Sequence, residues 1–196
     1  MRHQAVLGGD VVEQYSTTVA VRKLIDILRT LPTEQLVSLE DKEDKLILRA
    51  GKSRFTLQSL PAQDFPLVQE ASSYGAPIHL PQKELKKLLQ QVAFSMAVQD
   101  IRHYLNGLLL QIDGKRLAIV ATDGHRLAYT ETHLEQELPK QDIILPRKTV
   151  LELLRLLSDQ DEAMIELAIA SNQARFRLGQ LEFISKLVEG KFPDYN

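Results

Sequence analysis

The chain has no cysteine. That excludes a disulfide scaffold, a thiolate zinc site and a cysteine nucleophile, and it fits a reducing compartment. No apolar run approaches the ~18 residues of a membrane-crossing helix. The start, Met1-Arg2-His3-Gln4, lacks the apolar core of a signal peptide. No glycine-rich phosphate loop is present: Gly8-Gly9 precedes Asp10 and reads as a hairpin turn. The five histidines (His3, His79, His103, His125, His133) form no i, i+4 pair and no H-E-x-x-H, so neither a metal site nor a cofactor is expected. Charge of one sign is also lacking. With 24 basic and 26 acidic residues the net charge is −2, and bulk charge alone gives no reason to expect a nucleic-acid partner. What remains is 196 residues, 44% of them hydrophobic, enough for one large domain or two small ones with a real core.

Periodicity lays out two units. In the first, residues 21–31 read as a helix, because Leu24, Ile25, Ile27, Leu28 and Leu31 form a stripe that Pro32 ends. Strands are expected at 36–39, 45–50 and 55–60, then a turn-rich exit at 61–66 and a linker at 69–76. The second unit opens at Pro77. It predicts a strand at 78–80, a helix at 82–92, strands at 105–112, 116–121, 127–132 and 143–145, a helix at 146–157, and final strands at 164–169, 174–178 and 183–187. Asp113-Gly114 is a hairpin signal. The fold class is α+β.

The chain repeats itself. Leu24-Ile25-Asp26-Ile27-Leu28-Arg29 lines up with Val150-Leu151-Glu152-Leu153-Leu154-Arg155 at an offset of 126. Leu60, Phe65 and Pro66 line up with Leu187, Phe192 and Pro193 at an offset of 127. Both segments run helix, strand, hairpin, strand. By the logic of the repeat, the first copy lacks about 50 residues that precede the helix in the second.

Charge is unevenly placed. Helix 21–31 (Arg22, Lys23, Arg29), helix 82–92 (Lys83, Lys86, Lys87) and helix 147–157 (Arg147, Lys148, Arg155) each carry net +2. The rest of the chain therefore sums to −8. A solvated face is the plain reading; a shared positive surface for a polyanion is the functional one. Between two strands lies Ala121-Thr122-Asp123-Gly124-His125-Arg126-Leu127-Ala128, a tight turn. His125 and Asp123 suggest a hydrolase dyad, but no nucleophile signature accompanies them. The polar loop 99–107, with Arg102, His103 and Tyr104, suits phosphate contact, or is a plain loop with Tyr104 packed inward.

These stretches resemble the bacterial replicative sliding-clamp family, the beta subunits of DNA polymerase III. The resemblance rests on 94–107 (Phe94-Ser95-Met96-Ala97 to Asn106-Gly107), 121–128, Pro146-Arg147-Lys148, 185–195, and in the first copy 53–57 and 60–66. It implies a repeated α+β DNA-clamp domain, with two helices on antiparallel sheets per full copy. It implies the C-terminal part of a first domain over 1–70, a second domain over 77–196, and no third. It implies a bacterial, cytoplasmic and nucleoid-associated homodimeric ring around double-stranded DNA, processivity without catalysis, and no membrane. This chain alone is not expected to close a ring. Implied DNA contacts are Gln99, Arg102, Tyr104, Arg126, Arg147, Lys148, Lys83, Lys86, Lys87, Arg22 and Lys23. The implied docking pocket matches Leu105, Thr122, Gly124, His125, Arg126 and Leu127. Implied partners are the polymerase III alpha subunit, the clamp-loader delta subunit and other proteins with the clamp-binding motif. A standalone nucleic-acid-binding module is the alternative, and a small His/Asp hydrolase a further one.

Overall fold

A computed structural model describes residues 2–3, 15–66 and 69–195. The Gly8-Gly9 turn expected from sequence lies outside them. In chain order the elements are β1 (Arg2–His3), β2 (Thr17–Val19), α1 (Val21–Thr30), β3 (Val37–Lys42), β4 (Lys45–Ala50), β5 (Ser53–Pro61), β6 (Ile78–Pro81), α2 (Gln82–Val92), β7 (Gly107–Thr122), β8 (Leu127–Pro146), α3 (Arg147–Leu156), β9 (Met164–Ile169), β10 (Gln173–Leu178) and β11 (Leu181–Lys186). The chain divides into two compact units, 7–68 and 1–6 with 69–196.

In the unit spanning 7–68, an antiparallel sheet runs β2-β5-β4-β3. α1 carries the expected apolar stripe, yet none of its residues is buried. Leu46, Ile47, Leu48 and Leu57 are buried on the sheet.

In the larger unit, β1-β11-β10-β9-β6 form one antiparallel sheet and β7-β8 a long hairpin. Leu85, Leu88, Leu89 and Val92 of α2 and Val150 and Leu153 of α3 are buried in one core with Leu108, Leu110, Ile112, Leu117 and Ile119 of β7 and Phe176 of β10. Alternate residues of a strand point to opposite faces. Leu109 and Val120 accordingly join Ile144 and Phe192 in a second cluster on the other face of the hairpin. β7 is thus buried on both sides, which explains its run of apolar residues.

The repeat is visible in the backbone. Each copy runs from a helix into three antiparallel strands, α1-β3-β4-β5 and α3-β9-β10-β11. Thr18 pairs with Leu60 in the first copy. In the second, the Val188 N–H donates to the Ile144 carbonyl.

One expectation fails. Asp113-Gly114 does not reverse the chain: β7 continues through it, and the register against β8 slips on either side of Gly114. Gly114 has φ +62. A left-handed glycine inserted in an antiparallel ladder makes a bulge, so the same chemistry that favours a hairpin turn here bends a strand. The strands expected at 105–112 and 116–121 are therefore one, as are those at 127–132 and 143–145.

Candidate docking and nucleic-acid surface

Two segments of the larger unit meet. The first runs from the 3-10 turn Ala93–Ser95 to the 3-10 turn His103–Leu105, and the second is the β7–β8 turn at 123–126. Gly124 has φ +89, which suits glycine in a tight reversal. The Thr122 hydroxyl donates to the Arg126 carbonyl (2.7 Å) and accepts from the Gly124 N–H (3.1 Å). Asp123 Oδ1 accepts the backbone N–H groups of His125 (3.0 Å) and Arg126 (3.1 Å), and its Oδ2 accepts Arg126 Nε (3.0 Å). The His125 and Arg126 amides, with the Arg126 guanidinium, lower the Asp123 pKa. Its carboxylate serves the turn's backbone and Arg126 rather than the His125 ring, so the hydrolase dyad is not assembled.

The loop before β7 is held as firmly. Asn106 Oδ1 accepts the Asp100 N–H (2.9 Å), and its Nδ2 donates to the Asp100 carbonyl (2.7 Å). Gln99 takes φ +56, a left-handed conformation uncommon outside glycine. Asp100 Oδ1 accepts both the Arg102 N–H (2.8 Å) and Nε (3.0 Å), while Oδ2 accepts Nη2 (2.9 Å). These bonds from Arg102 hold the Asp100 carboxyl at about 2. Arg102 Nη2 also donates to the Asp123 carbonyl (3.4 Å), and the guanidinium lies against Gly124, where a Cβ would sit 3.2 Å from it. Arg126 Nη2 donates to the Phe94 carbonyl (2.8 Å), with its guanidinium 5.7 Å from the Phe94 ring centre. The Arg147 N–H donates to the Asn106 carbonyl (2.8 Å), which joins the start of α3 to the loop.

Of the docking residues expected from sequence, Gly124, His125, Arg126 and Leu127 are exposed. Thr122 is buried, and Leu105, only 1% exposed, is a floor beneath the loop rather than a surface. Of the expected DNA contacts, Lys83, Lys87, Gln99, Arg102, Arg126 and Lys148 are exposed, as are Arg22 and Lys23 on α1 in the other unit, and Lys86 is half-buried. Tyr104 is half-buried against the second cluster, the inward-packed alternative. Arg147 is half-buried and donates to the Met96 carbonyl (3.4 Å).

The charge partition also needs correction. Lys83 pairs with Asp161 and Lys86 with Asp159, both at 2.6 Å. Acids counted with the remainder of the chain thus fold onto the α2 face, and the free positive charge there is smaller than sequence suggested. Sequence reading also missed Phe94, Asp100 and Asn106. The Asp-x-Arg and Asp-x-x-Arg spacings were the available signals, since Asp readily caps the amides two and three residues on. Elsewhere in the unit, a cavity of about 630 Å³ is lined by Leu109, Gln111, Ile144, Asn172, Phe192 and Tyr195, and by none of the expected site residues. Among the described residues there is no cluster of groups able to hold a metal, and no helix is long and apolar enough to cross a membrane.

The central-domain model of the DNA polymerase III beta subunit matches residues 79–194, and its N-terminal-domain model matches 4–69. The chain belongs to the DNA polymerase III beta subunit family. The beta sliding clamp of Proteus mirabilis is 47% identical over 180 residues, covering 92% of this chain and 49% of that protein. That of Pseudomonas aeruginosa is 45% identical over 189 residues, covering 95% and 50%. A crystal structure of the Pseudomonas aeruginosa subunit superposes with a TM-score of 0.92 at 42% identity, over 97% of this chain and 52% of that one. A second, bound to griselimycin, superposes at 0.87 with 43% identity, over 95% and 50%. The chain spans about half the length of the curated relatives it matches.

Proposed function

We propose that this beta-subunit chain is clamp material: residues 77–196 serve as a central clamp domain and 1–70 as part of a first one, within a homodimeric ring that encloses duplex DNA and tethers a polymerase. The observation that carries the reading is the family match, which runs through α2, α3 and the paired loop and turn. Enclosure is topological, so the ring needs only weak, sequence-independent attraction to phosphates, which still permits sliding. The exposed cations Lys87, Lys148, Arg22 and Lys23 supply it. Gly124, His125, Arg126 and Leu127, floored by Leu105 and Thr122, receive an apolar linear motif. Its bearers are the polymerase III alpha subunit, the clamp-loader delta subunit and other motif-carrying proteins. The role is processivity, with no chemistry done on DNA.

Fluorescence anisotropy with a short linear duplex separates this from a standalone nucleic-acid binder. The chain is expected to bind more weakly than about 10 µM at physiological salt. Submicromolar affinity that falls steeply between low and moderate salt would overturn the reading. A peptide carrying the alpha subunit's docking motif is expected to bind the chain weakly but saturably, and no binding at millimolar peptide would overturn the docking reading.

A further inference from the structure

We propose that Asp100 is a positioning residue for the docking surface: through Arg102 its carboxylate fixes the 99–106 loop against the β7–β8 turn, so that a peptide meets a preformed surface. This rests on the docking reading above. A connected series of contacts carries it. Asn106 clamps both backbone groups of Asp100, at 2.9 and 2.7 Å. Gln99, directly before the clamped residue, takes the left-handed φ of +56. The Asp100 carboxylate then takes three hydrogen bonds from Arg102, two of them from the guanidinium. Held in that fork, the guanidinium lies along Gly124 and reaches the Asp123 carbonyl. Asp123 holds Arg126, and Arg126 returns to the Phe94 carbonyl, where the first segment begins. The circuit therefore starts and ends on the first segment and crosses the turn between.

The circuit also bears on charge. Arg102 and Arg126, both expected DNA contacts, each have a carboxylate at 3.0 Å or less. The Arg102 fork is filled by Asp100, while Arg126 gives Nε to Asp123 and Nη2 to the Phe94 carbonyl, so each presents less of its charge to phosphate than an unpaired guanidinium would. Their role here is to shape the surface, while the exposed lysines of α2 and α3 supply attraction to DNA.

A surface organised before binding costs less entropy to occupy than one ordered on contact. Asp100 is therefore expected to affect peptide affinity without affecting the fold. The test uses the chain with Asp100→Ala, Asp100→Asn and Arg102→Gln, titrated with the alpha-subunit docking peptide. Asp100→Ala is expected to weaken binding about tenfold, and the double variant with Arg102→Gln no further, as for two members of one network. Asp100→Asn keeps an acceptor for the Arg102 N–H and is expected to recover part of the loss. Thermal midpoints are expected to fall only slightly, with the chain fully folded at the assay temperature, and amide exchange to quicken at 99–106. Unchanged affinity in Asp100→Ala, additive losses in the double variant, or a lowered thermal midpoint that accounts for the loss each overturn the proposal. If the parent chain binds no peptide, the docking reading itself fails, and this is seen before any variant is compared.

Discussion

Leu153→Ala and Ile27→Ala make the most informative pair of perturbations, because the two positions are equivalent by the repeat and differ in what covers them. Leu153 is fully buried on α3, in the core cluster it shares with residues of α2, β7 and β10. Ile27 sits one repeat earlier on α1, a helix with no buried residue, and is only half-buried. At ~0.8 kcal/mol per buried carbon, the three lost from Leu153 contribute about 2.4 kcal/mol. A rigid, close-packed site collapses little, and the cavity raises the total to about 3–4 kcal/mol. At Ile27 the same truncation removes atoms already partly in water and leaves no closed void, so the cost falls to about 1 kcal/mol. Urea unfolding followed by far-UV circular dichroism gives both numbers, with amide exchange on α1 and α3 assigning each loss to its unit. Equal costs at the two positions would refute the reasoning, since they would mean that helix pattern, rather than what packs on the helix, sets the energetics.

Three further outcomes are expected. Gly107→Ala drives a Cβ into the Leu145 carbonyl oxygen on the paired strand, so it should cost about 3 kcal/mol or more, measured by urea unfolding; a loss below about 1 kcal/mol contradicts the close approach. Asp100 should titrate near pH 2 by carboxyl carbon NMR. Because its folded pKa is depressed, its hold on the loop is complete above the usual value near 3.9 and is lost as pH falls through about 2; a midpoint near 4 contradicts the Arg102 fork. Asp159→Asn with Asp161→Asn frees Lys86 and Lys83, and should strengthen weak duplex binding about two- to threefold at low salt, read by anisotropy, with no change contradicting a role for α2 in attraction.

The local elements were legible where pattern and burial agree. Helix 82–92 and strands 45–50 and 164–169 fall where the periodicity predicts, since each has an apolar face and clear turn residues at its ends. The long hairpin was not. Asp113-Gly114 carries turn chemistry, yet β7 is buried on both faces, and continuing the ladder past a bulge keeps those faces covered. In the site, the turn at 122–127 was recognisable as a motif, but its wiring was not. Asp100 and Asn106 act across six residues of loop, and Arg102 and Asp123 across twenty-one, and no periodicity records such pairings. Charge misled for the same reason: Lys83 and Asp161 are far apart in the chain and 2.6 Å apart in the fold.

The paired loop and turn are proposed to form a peptide-docking surface. Chemical-shift mapping of the isotope-labelled chain, titrated with the alpha-subunit docking peptide, tests it most directly. Saturable shifts are expected centred on Thr122, Gly124, His125, Arg126 and Leu127, with Leu105 responding beneath them. Shifts centred instead on the cavity lined by Leu109, Asn172 and Phe192, or a turn that stays silent through saturation, would contradict it.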